Sequence, residues 1–250
     1  DAQDFGTDSD EAIIKCGAIA ANSSETLGFE PQWLLTKKYD GTAGWTLVDS
    51  MRRFEVDGSN YVQANTTNTE ATNGLWKINS NGFSLGGGSG NYIYVAIRRP
   101  HKPAEEFAAT DLYATAPQQA KVAGSLGGFR AGFVADFALK FEQTGAHNHD
   151  ISCRLAAGRG MYTDATNAEA ALSVATYDFQ DGMGDQSVAS TNNLRMLLRR
   201  APGFFDVVAY TGDGVAGRTV PHNLGVAPEM MWVKNRSVGG RWAVYSSSLG

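Results

Sequence analysis

Short apolar runs separated by polar, glycine-rich stretches recur along the whole chain, and their rhythm is that of β-strands. Gln32-Trp33-Leu34-Leu35-Thr36-Lys37 and Met230-Met231-Trp232-Val233-Lys234 are apolar runs closed by lysine. Trp45–Val48 and Trp242–Tyr245 are aromatic and β-branched, and Asn91–Ile97 alternates Tyr92 and Tyr94 with Ile93 and Val95, as half-buried strands do. Asp40-Gly41, Asp57-Gly58, Asn81-Gly82, Asp181-Gly182 and Asp213-Gly214 supply turn chemistry between them. Helical periodicity is weak; a turn or two is expected around Thr67–Thr72 and Thr166–Leu172, where an asparagine before Glu-Ala can cap a helix. The pattern predicts an all-β fold of tandem β-sandwich (jelly-roll or lectin-like) domains in series.

The series is visible as an internal echo. Gly28-Phe29-Glu30-Pro31-Gln32-Trp33, Gly132-Phe133-Val134-Ala135-Asp136-Phe137 and Gly225-Val226-Ala227-Pro228-Glu229-Met230 repeat one phrase, with glycines 104 and then 93 positions apart. Solenoid repeats run about 20–50 residues, so this period points to whole domains. Trp45 and Trp242 each follow their glycine by 17 residues, a place held by His149 in the second copy. Asn68-Thr69-Glu70-Ala71 matches Asn167-Ala168-Glu169-Ala170, and Arg98-Arg99-Pro100 matches Arg199-Arg200-Ala201-Pro202. The expected organisation is an N-terminal extension (1–11), repeat one (12–103), a divergent repeat two (108–203) and the start of an incomplete repeat three (205–250). A half domain cannot close its core, so the chain is expected to be part of a longer product.

Composition narrows the partners. The net charge of −5 and pI near 5.4 give no basic footprint for nucleic acid, and no apolar run approaches a membrane span of about 20 residues. Neither nucleic acid nor membrane insertion is therefore expected. Cys16 and Cys153 stand at non-equivalent places in different repeats and are read as free thiols.

Candidate chemistry is sparse. His147-Asn148-His149-Asp150 is the one cluster with metal-ligand residue types, but no third ligand has suitable spacing, and neither a metal nor a cofactor is expected. Gly86-Gly87-Gly88-Ser89-Gly90 lacks the lysine and following helix of a phosphate loop. Asp49, Asp57, Glu70, Asp164, Glu169 and Asp178 are scattered rather than paired for glycoside hydrolysis. Trp33, Trp45, Trp232 and Trp242, at matched positions, are expected in cores, and the double arginines at solvated strand ends. No catalytic residues are assigned. His147, Asn148 and His149, in the copy-specific segment 142–150, are the weak candidates for ligand binding.

Several phrases resemble a repeated domain of tailed-bacteriophage proteins. They are Leu27–Trp33, Asp49-Ser50-Met51-Arg52, Asn79–Leu85, Tyr92-Ile93-Tyr94, His222–Glu229 and Trp232–Ser237. The resemblance implies a structural component of a phage tail appendage, a fibre or adhesin contributing to host-surface attachment, and not an enzyme. It also implies location in the virion after assembly in the host cytoplasm, with partners among other virion tail proteins and a host-surface glycan. Symmetry of such appendages makes a homo-oligomer, a trimer foremost, the expected state. The alternatives are an extracellular carbohydrate-binding array and, behind it, a tailspike-like glycan hydrolase.

Overall fold

A computed structural model describes residues 13–99, 108–117, 127–142, 148–156, 158–171, 175–177, 179–185 and 193–249. The described chain is all-β: antiparallel strands in several separate sheets, joined by short 3-10 turns, without an α-helix. Contacts divide it into two compact units, one within 1–100 and 208–222, the other within 101–207 and 223–250.

The first unit holds β1 (Ile14–Ala20), β2 (Ser23–Thr26), β3 (Pro31–Lys38), β4 (Trp45–Asp49), β5 (Phe54–Glu55), β6 (Gly58–Gln63), β7 (Ala71–Asn73), β8 (Trp76–Asn79), β9 (Gly82–Leu85) and β10 (Asn91–Arg98). Its large sheet has the order β1-β10-β3-β4-β6-β5, with β7 also paired to β6, and its small sheet the order β2-β9-β8. The two pack face to face: Trp76 lies edge-on to Tyr92 at 5.6 Å and Phe83 to Tyr94 at 5.1 Å. Leu34, Val48, Phe54, Phe83 and Ala96 are sealed between them, each large side chain contributing about 1.5–3 kcal/mol.

The second unit holds β11 (Tyr113–Pro117), β12 (Gly128–Arg130), β13 (Phe137–Glu142), β14 (Asp150–Cys153), β15 (Arg159–Tyr162), β16 (Ala170–Ala171), β17 (Ala175–Thr176), β18 (Gly182–Asp185) and β19 (Asn193–Leu198). Its sheets run β11-β19-β13-β14-β15-β16 and β12-β18-β17, the same beginning order and the same small sheet as in the first unit. Phe129, Met183 and Tyr177 meet Ala116, Ala138 and Leu197 in the core. The local ties recur as well. Leu27 and Gly28 N–H donate to the Asn81 carbonyl, and Ala131 and Gly132 N–H donate to that of Asp181. Gly28, Gly132 and Gly225 all adopt left-handed φ, at 85°, 81° and 72°, which favours the residue without a Cβ.

A third hairpin, β20 (Met230–Val233) with β21 (Ala243–Ser246), forms a two-stranded sheet. Its register copies the other two: Leu34 faces Val48, Ala138 faces Ser152, and Met231 faces Tyr245.

Three expectations are corrected. None of the four tryptophans is sealed in a core: Trp33 and Trp45 are half-buried, Trp242 is half-buried against the Phe137–Leu139–Ile151 cluster and Trp232 is 49% exposed, whereas Trp76 is 2% exposed. Alternation turns Leu34, Thr36 and Val48 inward instead. The Asn-Xaa-Glu-Ala segments form no helix but lead into β7 and β16. One arginine of each pair is not solvated: Arg98 and Arg200 are buried, Arg98 over the Phe29 ring and Arg200 against Asp206 at 2.6 Å, while Arg99 and Arg199 are half-buried.

Candidate functional site

His147 lies outside the described residues. Asn148 is exposed and His149 half-buried, both immediately before β14. The His149 ring stands edge-on to Phe141 at 5.6 Å. Its backbone is fixed on both sides, N–H donating to Asp164 Oδ2 (3.1 Å) and the carbonyl accepting from Thr163 N–H (2.9 Å). Among the described residues no three His, Cys, Asp or Glu side chains are grouped for a metal ion.

His149 is one member of a repeated pair. Nine and seventeen residues beyond the three echo glycines stand Lys37 with Trp45, Phe141 with His149, and Lys234 with Trp242. Lys37 and Trp45 are direct cross-strand partners, and Lys234 Nζ lies 5.4 Å from the Trp242 ring, a cation over an aromatic face. Lys37 Nζ also donates to the Ala43 carbonyl and Lys234 Nζ to that of Gly240, so each lysine closes its own hairpin loop. The second copy replaces cation and indole with phenyl and imidazole, keeping the aromatic contact and changing its polarity. The 17-residue spacing carried this signal in the sequence.

A denser constellation was not anticipated. Within the second unit, the loop of the third hairpin is fastened to the segment after β15. Arg236 forks onto Glu169, Nε to Oε1 at 2.9 Å and Nη2 to Oε2 at 2.7 Å, while Arg159 Nε reaches Oε2 at 2.9 Å. The Glu169 side chain is only 5% exposed, so its charge needs these donors. Backbone bonds flank the fork: Glu169 N–H to the Arg236 carbonyl and Gly240 N–H to the Thr166 carbonyl. Trp242 Nε1–H donates to the Tyr162 carbonyl at 2.9 Å, and its ring packs on Phe137, Leu139 and Ile151 with Phe205 and Val207. This geometry holds one polypeptide segment to another; it offers no nucleophile aligned with a base. The equivalent Glu70 of the first unit is exposed and accepts from Asn60 Nδ2 at 2.9 Å.

Elsewhere the polar groups serve the fold. Asp136 accepts the Arg200 N–H and pairs with Arg154, and Asp150 takes Lys140 and Arg195. Burial pushes the Cys153 thiol up to about 11 and raises Tyr177 and Tyr94 above the usual phenol range. Asp40, in the loop of the first hairpin, is held below the usual carboxylate range by the Asn91 N–H. An open apolar groove of about 620 Å³ is lined by Ala109, Leu112, Tyr113, Leu198, Phe204 and Phe205, with no acid–base pair at its wall. No helix among the described residues is long and apolar enough to cross a membrane.

Residues 16–100 and 185–250 match a domain of unknown function, DUF7483. The matched stretches take in most of the first unit, and β19 with the third hairpin. No curated protein and no solved structure matches the chain.

Proposed function

Since the chain belongs to the DUF7483 domain family, its role has to be argued from its architecture, and we propose that it is a structural, repeat-built component of a bacteriophage tail appendage. One observation carries the reading: two units repeat a strand order, a core and a set of backbone ties, and a third hairpin repeats their register. Repetition multiplies length and valency, whereas a catalytic centre needs only one precise constellation. Assignment to a virion rests on the resemblance of the glycine phrases to tail-fibre repeats. The chain acts by assembling with its own copies, as a trimer, and with other tail proteins, and it contributes to attachment at a host-surface glycan.

Within this reading the hairpin ends of the first two copies are the recognition elements, because the lysine–tryptophan pair of one becomes phenyl and imidazole in the other on a constant frame, whereas the third hairpin's end is docked on the second unit. Replacing His147, Asn148 and His149 together by alanine is expected to leave the circular-dichroism spectrum unchanged and to weaken host attachment. Unchanged attachment would remove those residues from recognition. Glycan-array binding without release of reducing sugar supports an adhesin; release of reducing sugar from host polysaccharide would replace it with the hydrolase.

A further inference from the structure

At the end of the first unit's large sheet where Lys38 pairs with Tyr92, two loops meet: the loop between β3 and β4, and the glycine loop of residues 86–90 that leads into β10. Asp40 ties them together. Its Oδ2 accepts the backbone N–H of Asn91 at 2.8 Å and an Nδ2–H of the same residue at 2.9 Å. Tyr39 N–H donates in turn to the Asn91 carbonyl at 3.1 Å, and Ala21 N–H to the Gly90 carbonyl at 2.9 Å. These bonds fix an exposed carboxylate through one oxygen. The other, Oδ1, accepts no hydrogen bond among the described residues. Gly90 keeps that oxygen open: it stands at φ 88°, and a Cβ built on it would lie 2.5 Å from Asp40 Oδ1 and 2.5 Å from Lys38 Cε. Any other residue there would fill the notch beside the carboxylate.

Resting on the attachment role given above to the first hairpin's end, we propose that Asp40, Asn91 and the notch at Gly90 form a subsite for a neutral saccharide, held through a pair of adjacent hydroxyls. The ligand class follows from the groups present. The Lys38 ammonium beside Asp40 disfavours a metal cation, and the Asp40 carboxylate disfavours an anion. A hydroxyl can donate to Asp40 Oδ1, and its neighbour can accept the second Nδ2–H of Asn91, which the tie to Asp40 does not use. Tyr39, the next residue in the chain, is 58% exposed and offers a ring for the apolar face of a sugar. The chemistry belongs to this copy and not to the repeated frame. Twelve residues beyond the echo glycines stand Asp40, Thr144 and Ser237, so only the first copy carries a carboxylate there.

The test places the full chain on a printed array of neutral oligosaccharides of glucose, galactose, mannose and their N-acetylamino forms, with acidic glycans alongside. Saturable binding to a neutral member, unaffected by EDTA, is expected. Asp40→Asn leaves one oxygen for the two Asn91 donors and turns an NH2 group outward in place of Oδ1. The loops should therefore stay tied, with unchanged amide protection at Tyr39 and Asn91, while affinity falls about tenfold or more. Tyr39→Ala leaves both bonds to Asp40 in place and should weaken binding about threefold or more, whereas Tyr39→Phe should not. Binding to no neutral glycan overturns the proposal, as do a preference for acidic glycans, loss of binding in EDTA, or equal binding by the Asp40→Asn and Tyr39→Ala variants. Host attachment measured on the same proteins separates this site from the adhesin reading. Attachment that survives Asp40→Asn removes the site and leaves the reading; saccharide binding through Asp40 without host attachment does the reverse.

Discussion

Replacing Glu169 with alanine is expected to release the third hairpin from the second unit without unfolding either sandwich. Its carboxylate receives a two-pronged contact from Arg236 and a third bond from Arg159, and it is 5% exposed. Hydrogen bonds to charged groups contribute about 1.5–3 kcal/mol each before compensation. Arg236 and Arg159 are 28% and 44% exposed, so water recovers part of what they lose. The net effect is roughly 2 kcal/mol, or about 30-fold in the equilibrium between docked and released hairpin. Amide exchange reads this directly at two bonds that exist only when the loop is docked: Glu169 N–H to the Arg236 carbonyl and Gly240 N–H to the Thr166 carbonyl. Both should exchange about 30-fold faster while the amides of β13 and β19 keep their rates. The control is Glu70→Ala in the first unit, where the exposed carboxylate holds one amide bond and the expected effect is below about 0.5 kcal/mol. Equal effects of the two variants, or unchanged exchange at Gly240 in the Glu169 variant, would show that the fork does not fasten the hairpin.

Three further outcomes are expected. Gly182→Ala should cost roughly 3 kcal/mol and lower the melting temperature, because the added Cβ would stand 2.0 Å from the Phe129 carbonyl oxygen; a variant as stable as the parent refutes that approach. The denaturation midpoint should fall as the pH rises above about 9. The sign follows from thiol and phenol values raised in the folded state: Cys153 goes from 9.0 to about 11, and Tyr94 and Tyr177 move in the same direction. Unfolding therefore releases protons as the pH rises, and a midpoint that climbs above pH 9 contradicts the burial of these groups. At pH 8 a maleimide should label exposed Cys16 and spare Cys153 until the chain is unfolded; equal labelling rates would refute this.

The frame was legible because the residues that carry it are local. The echo glycines mark left-handed turns, Asn81-Gly82 and Asp181-Gly182 mark the tight turns into β9 and β18, and the runs around Leu34 and Met231 mark hairpin strands in one register. What was not legible is which side of a strand turns inward. A run such as Trp33-Leu34-Leu35 is apolar on both faces, and a shift of one residue exchanges them. The pattern therefore puts Trp33 in the core and passes over Leu34, and it does not mark the buried indole, Trp76, because no second copy repeats it. The fork on Glu169 depends on Arg236, 67 residues away, and no local pattern announces a partner at that distance. The arginine pairs mislead for a similar reason, since buried Arg200 pairs with Asp206, which folds back onto it from beyond the strand. The 17-residue spacing marks His149 as the second copy's counterpart of Trp45 and Trp242, and the structure adds its ring contact with Phe141.

The central claim, a repeat-built structural component that assembles with its own copies, is tested most directly by the mass of the chain in solution. Light scattering coupled to size exclusion, across a range of protein and salt concentrations, is expected to give three times the 26.7 kDa chain mass. A species that stays at 26.7 kDa under every condition would contradict the account.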